Sequence, residues 1–394
     1  MEFFMDTKKI FEAVKSEVAL ISAELEALAL DLWEHPELAW KEFYAAEALC
    51  KFLKKHDIDA KENYLDFPTA FRGDVSNGSG AVFALAAEYD ALPPGHACGH
   101  NLIAAASVGA AIAASRVMKK LGLPGTLVIM GTPAEESGGG KVKMLRKGAL
   151  DGIDAVMMSH PNWRTIPDPG SLAIRRWDVT FHGVSSHAGG APELGVNALD
   201  AVMMLFNGVS FQRQQMPDLC RIHGIVTHGG KMPNIIPETA SCRFYLRSAT
   251  EEWMEKLDER FDNMVKGAAL LTGCTYTKEK FSIDCRSRKT NALLNSAYCE
   301  VMTELGENIP ANVPDGRGSS DFGDFSQEIP GAHPYFAVSP VKIGGHSIEF
   351  QEASRSELGL KNMLKSAVAL ACTACRFLDD AEFRSAVKAD FEKK

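Results

Sequence analysis

Three separated stretches carry side chains able to bind a metal ion. They are His96-Ala97-Cys98-Gly99-His100-Asn101, Pro133-Ala134-Glu135-Glu136-Ser137 ahead of three glycines, and Ser159-His160-Pro161. Each alone has a bland explanation. A His-x-Cys-x-His can be a turn around one buried thiol, a Glu-Glu pair is usually a solvated face, and a single His-Pro says little. Their weight comes from position, because each follows a short apolar run that reads as a buried strand. Thiolate, imidazole and carboxylate together suit a borderline divalent ion such as Zn²⁺, and Mn²⁺, Co²⁺ or Ni²⁺ fit the same donors. Adjacent glutamates then divide the labour: one ligates, and its neighbour takes a proton from water whose pKa the ion has lowered. We read Cys98, His100, Glu136 and His160 as ligands and Glu135 as the base, although pattern alone does not order the two glutamates.

The elements that must position these groups follow from periodicity. Apolar spacings of three and four mark a helix over 7–32, and a second is expected over 42–56. Buried strands are expected at 81–87, 126–130 and 155–158, separated by an Ala-rich helix over 102–119 and one near 141–147. Strands alternating with helices predict a mostly parallel sheet flanked by helices, whose strand ends form a binding crevice. From about 172 the order becomes β-α-β-β-α-β, the ferredoxin-like pattern. We therefore expect an α/β metal-binding domain over 1–173 and 289–394, interrupted by an α+β lid over 174–288. Helices at 291–305 and 355–377 return the chain to the first domain.

Composition narrows the function classes. The chain has 394 residues, 46% hydrophobic and 24% charged, with net charge −9. No basic stripe suggests nucleic acid. The 14-residue apolar stretch 102–115 is too short to span a membrane and reads as a core helix. Nine cysteines, an odd number, do not form an obvious disulfide framework, and the first residues lack the layout of a secretory signal. We expect a cytoplasmic protein.

The quoted motifs, with Tyr89-Asp90-Ala91-Leu92-Pro93 before them, resemble the aminoacylase and glutamate-carboxypeptidase superfamily of metallohydrolases over essentially the whole chain. Within it they are most similar to the amidohydrolase branch of hippurate, indole-acetyl-amino-acid and aminobenzoyl-glutamate hydrolases. The resemblance implies a metal-binding domain with an inserted dimerisation lid, and two divalent ions, Zn or Mn first and Co or Ni also fitting. Cys98 would bridge them; His100, Glu136, His160 and His346, in Gly344-Gly345-His346-Ser347, would be terminal ligands. Asp90 would orient a ligand. His187, in Ser185-Ser186-His187-Ala188, would stabilise the oxyanion, and Asn234 and Arg247 would hold substrate. The resemblance also implies a homodimer formed through the lid. Asn101 stands where many relatives have Asp, and Glu88 where other branches place a metal-binding His. Those two features and Ser319-Ser320-Asp321-Phe322-Gly323 resemble the aminobenzoyl-glutamate hydrolase and dipeptidase-like subgroup.

The expectation is hydrolysis of the amide of an N-acyl amino acid or dipeptide with a free carboxylate. Two rivals stand beside it: a hydrolase with Cys98 as nucleophile, and a non-catalytic protein that binds metal and amino-acid conjugates. Cys372-Thr373-Ala374-Cys375 has redox spacing but lies in an apolar helical stretch, and we read it as a buried pair.

Overall fold

Six apolar residues, Val82–Ala87, form an interior strand of a six-stranded sheet in the computed structural model, which describes residues 3–310 and 318–393. Thr126–Gly131 and Ala155–Met157 flank it in parallel, and Gly331–Ala332 extends the parallel side. Runs this apolar are buried on both faces, which requires helices above and below. The other margin is antiparallel: Phe71–Ser76 pairs with Thr126–Gly131, and Lys61–Glu62 pairs with Phe71–Ser76. The sequence reading did not find this margin, because Gly73 and Asp74 dilute an alternation that places Phe71 and Val75 inward.

His100–Leu121 is the core helix. It is long and apolar enough to cross a membrane, yet 94% of its apolar stretch is buried inside the protein. It packs against Glu357–Asp379, Ser22–Glu34 and Phe3–Leu20. The expected helix over 7–32 is thus two helices, broken at Ile21, where ψ is 7°. The apolar face continues across the break as Val18, Ile21 and Leu25, so periodicity does not register it.

Two compact units result. The first runs to Gly170 and resumes at Arg288; the second is Ser171–Ser287 together with Gly318–Ser320. Those last three residues join the second unit because the Leu172 amide donates to Gly318 O at 2.8 Å and Arg247 Nη1 donates to Ser319 Oγ at 2.9 Å.

The second unit is an antiparallel sheet in the order Thr275–Lys280, Ala173–His182, Thr239–Ser248, Arg221–His228. Alternate residues of Thr239–Ser248, namely Ala240, Cys242, Phe244 and Leu246, are buried with apolar residues of the helices Ala198–Gln212 and Glu251–Thr272. Asn197 and Thr250 cap those helices by accepting from the Leu199 and Trp253 amides.

Candidate metal centre

Parallel strands end on one edge of a sheet, and three such ends deliver the chemistry. Val82–Ala87 leads into Glu88 and Asp90, Thr126–Gly131 into Glu135 and Glu136, and Ala155–Met157 into His160. Donor atoms of Cys98, His100 and His160 lie within 4.8 Å of one another, as do those of Cys98, Glu136 and His346. All five expected ligands therefore come together, and Cys98 belongs to both groups. Cys98 Sγ is 3.5 Å from His160 Nε2, and His346 Nε2 is 3.5 Å from Glu136 Oε1. Donors about 2.0–2.3 Å from a tetrahedral ion sit about 3.3–3.8 Å apart, so these spacings fit a shared cation. His100 Nε2 and Glu136 Oε1 are buried without hydrogen-bond partners and lie 3.8 Å apart. Buried polar atoms are seldom left so, and these converge where an ion would satisfy them.

The backbone is bent to bring this about. Gly99 has φ 74°, and a Cβ there would stand 2.6 Å from Pro161 Cγ, so glycine alone lets the Cys98–His100 turn pass beneath His160-Pro161. Ala134 (φ 60°) and His346 (φ 61°) are left-handed without being glycine. Such residues persist only where the surroundings hold them. The Ala134 amide donates to Glu42 Oε1 at 2.8 Å, and the His346 amide to Ala97 O at 2.9 Å.

Asp90 organises two ligands at once. His100 Nδ1 bonds its Oδ1 at 3.0 Å and the Glu136 amide donates to its Oδ2 at 2.9 Å. With Nδ1 held by Asp90, His100 turns Nε2 towards the cluster, where a proton or a metal ion can occupy it. Burial opposes charge on His100, but Asp90 and Cys98 outweigh it and hold the imidazole pKa well up. Burial, then the neighbouring carboxylate of Glu136, pushes the Cys98 thiol well up. That is the reverse of what an activated nucleophilic cysteine needs. Burial and then the charges of Glu88, Glu136 and Asp321 raise Glu135 well above the usual carboxylate range. A donor atom of Glu135 also lies within 4.8 Å of those of His100 and Glu136, so it stands beside the ligand cluster.

Sequence reasoning missed a buried ion cluster behind these groups. Lys141 Nζ lies 2.6 Å from Glu88 Oε1 and 2.7 Å from Asp321 Oδ1, all with side chains at most 1% exposed. The Lys141 amide donates to Asp321 Oδ2 at 2.9 Å. A lysine following Gly138-Gly139-Gly140 was the available signal, and without a phosphate-loop spacing it pointed nowhere.

Glu42 is a second missed residue. It is fully buried, and burial pushes its carboxyl up to about 7, with Asp90 adding to the rise. Because the folded pKa exceeds the unfolded one, its contribution to stability is complete below pH 4.5 and is lost as pH rises through 7. Glu42→Gln, which does not ionise, should therefore gain up to about 3 kcal/mol on the wild type between pH 5 and 8. Denaturant unfolding at both pH values checks this; a difference that does not change with pH would contradict it.

The remaining expected site residues lie in the second unit. His187 Nδ1 accepts from the Gly190 amide at 2.9 Å and the Gly189 amide at 3.2 Å. Its proton is thereby fixed on Nε2, making the exposed ring a donor. The Ala188 amide donates to Asn234 O at 2.9 Å, so the His187 and Asn234 turns are paired. Arg247 Nε contacts His223 Nε2 at 3.3 Å, and no carboxylate pairs with the guanidinium among the described residues. Burial and the nearby Arg176 both work against its charge, so it is receptive to an anion.

Other residues of interest are structural. Asn101 Nδ2 donates to Ala29 O at 3.0 Å and Ser354 O at 3.1 Å, two bonds an aspartate cannot donate. Cys372 and Cys375 are buried in the helix Glu357–Asp379, as expected. Glu37 accepts from the amides of Tyr44 and Ala45, capping Phe43–Lys55.

Comparison with known proteins agrees with this geometry. The mouse Xaa-Arg dipeptidase is 35% identical over 387 residues, covering 94% of this chain and 89% of that protein. One of the polypeptides of the Escherichia coli p-aminobenzoyl-glutamate hydrolase is 31% identical, covering 71% of this chain and 62% of the relative. Among solved structures, an M20-family dinuclear metal-binding peptidase from Bacillus subtilis superposes with a TM-score of 0.73 at 20% identity, covering 91% of this chain and 99% of that one. Residues 84–373 match the family described as Peptidase family M20/M25/M40, and the chain belongs to that family.

Proposed function

We propose that this protein is a metal-dependent amidohydrolase that cleaves a dipeptide or N-acyl amino acid bearing a free carboxylate. The observation that carries the reading is the convergence of five ligand side chains into two groups sharing Cys98. Cys98, His100 and His160 would hold one ion, and Cys98, Glu136 and His346 the other. The thiolate argues for Zn²⁺, with Mn²⁺ the alternative that the carboxylate accommodates. When bound, such ions acidify water and polarise the substrate carbonyl.

The chain's own residues supply the rest. Glu135, with its pKa raised, takes the proton of the attacking water and passes it to the departing amine. His187 Nε2–H donates to the carbonyl oxygen as negative charge develops there. Arg247 takes the substrate carboxylate bidentately, and Asn234 steadies the amide. Asp90 keeps His100 and Glu136 in orientation.

The dipeptide class is favoured because the mouse relative is named an Xaa-Arg dipeptidase and covers nearly the whole chain. Kinetics on Xaa-Arg dipeptides, aminobenzoyl-glutamate and N-acyl amino acids test this choice. Arg247→Met should raise KM about 10- to 100-fold while changing kcat little, as loss of a charge-assisted pair predicts. The same loss on a substrate whose carboxylate is amidated would remove Arg247 from this role.

We further propose a homodimer through the second unit, in a reducing compartment that keeps all nine cysteines free. Arg221–His228 is an edge strand with exposed Ile225 and Val226, and the helix Ala198–Gln212 exposes Met203 and Phe211. An unpaired apolar edge is a template for pairing with a second copy. Light-scattering mass in solution tests it, and a mass of one chain at micromolar concentration would sink it.

A further inference from the structure

Arg243 and Arg247 share one face of the strand Thr239–Ser248, yet they are held in opposite ways. Arg243 faces Asp178 across the ladder, and its Nε and Nη2 each lie 2.7 Å from a carboxylate oxygen. Arg247 has two neutral partners instead: Nε donates to His223 Nε2 at 3.3 Å, and Nη1 donates to Ser319 Oγ at 2.9 Å. The residue opposite it on Arg221–His228 is Arg221, another cation. Like charges directly across a ladder are destabilising, and no carboxylate among the described residues pairs with Arg247 to relieve this. Burial, then the charge of Arg247, lowers the His223 pKa. The imidazole is thus neutral at pH 7, with its Nε2 lone pair turned to Arg247 and its proton on Nδ1. A guanidinium carries five N–H donors, so two neutral acceptors fix its plane and leave three donors, with the whole positive charge, for an anion.

We propose that His223 and Ser319 are positioning residues that aim the Arg247 guanidinium at the substrate carboxylate without neutralising it. This rests on the reading of Arg247 as the group that takes that carboxylate. An acid in place of either partner would bind Arg247 more strongly, as Asp178 binds Arg243, and the substrate would then have to displace it. Held by an imidazole and a hydroxyl, the guanidinium keeps its orientation while its charge stays available. Tyr245, the cross-strand partner of His223, backs both groups. Its ring centroid is 5.5 Å from that of His223 and 5.8 Å from the Arg247 guanidinium carbon. Orientation before binding reduces the ordering cost of binding, so its loss should appear in KM rather than in kcat.

The test is steady-state kinetics of the metal-loaded, full-length protein on the Xaa-Arg dipeptide or N-acyl amino acid it hydrolyses fastest, with thermal unfolding measured alongside. His223→Phe keeps a ring against Tyr245 and removes the acceptor. It should raise KM about 3- to 30-fold, with kcat within about twofold. His223→Gln offers Oε1 to the Arg247 Nε–H and should recover most of that loss. His223→Glu separates the proposal from a support of the fold. It gives Arg247 an ion pair, so Tm should hold or rise, yet KM should rise about 10- to 100-fold. Ser319→Ala should raise KM about 3- to 10-fold. In an Arg247→Met background, His223→Phe should add no further loss, because its effect runs through the guanidinium. Wild-type KM in both His223→Phe and His223→Glu would overturn the proposal. So would an undiminished loss from His223→Phe in the Arg247→Met background. Wild-type KM in Arg247→Met would instead refute the carboxylate reading itself. If the His223 variants do not fold, Ser319→Ala, alone and with Arg247→Met, decides by the same criteria.

Discussion

Glu135→Gln should lower kcat about 100- to 10,000-fold with little change in KM and no loss of bound metal. The amide fills the same space and still accepts a hydrogen bond, but it cannot take a proton from water. Burial and the charges of Glu88, Glu136 and Asp321 all favour the protonated form of Glu135. A carboxylate whose pKa is raised is a stronger base, and so better able to take a proton from water. Its neighbour should behave differently. Glu136 Oε1 is grouped with Cys98 and His346, so Glu136→Gln should lose an ion as well as activity. Metal content and single-turnover rates of the two variants separate the roles. If Glu135→Gln instead lost metal and Glu136→Gln kept it, the assignments would be exchanged.

Cys98→Ser should deplete both ions and cost at least about 1,000-fold in kcat/KM. Sγ is the donor common to the two ligand groups, so no single-ion site survives its loss intact. A serine hydroxyl stays neutral where a thiol can ionise, and lost stabilisation of several kcal/mol corresponds to factors of this size. Cys98→Asp supplies an anionic bridge and should recover part of the metal and part of the rate. That recovery separates a ligand from a nucleophile, since a carboxylate in place of an attacking thiolate would recover nothing by the same route. Full metal content in Cys98→Ser, with activity gone, would favour the nucleophile reading.

The sequence made the centre legible where chemistry and fold coincide. Glu136 and His160 lie a few residues beyond the strand ends Gly131 and Met157, and the loop that follows Ala87 carries Cys98 and His100 to the same edge of the parallel sheet. His346 was accessible only through resemblance, because it lies in a loop at φ 61° with no periodicity around it. The Glu88–Lys141–Asp321 cluster was not legible. Its bonds join residues 53 and 180 positions apart, and which buried charge meets which is settled by tertiary packing. Glu42 was hidden likewise: its acceptor role depends on a left-handed Ala134 that no local rule anticipates. In the second unit, alternating burial along Thr239–Ser248 made the strand plain. The tautomer of His187 needed the folded turn that brings the Gly189 and Gly190 amides to Nδ1.

The most direct measurement is metal content by mass spectrometry together with hydrolysis of an Xaa-Arg dipeptide, before and after exhaustive chelation and after metal return. The account predicts two ions per chain, loss of activity on chelation, and its recovery with Zn²⁺ or Mn²⁺ as occupancy returns to two. Hydrolysis that persists at full rate in protein stripped of metal would contradict it.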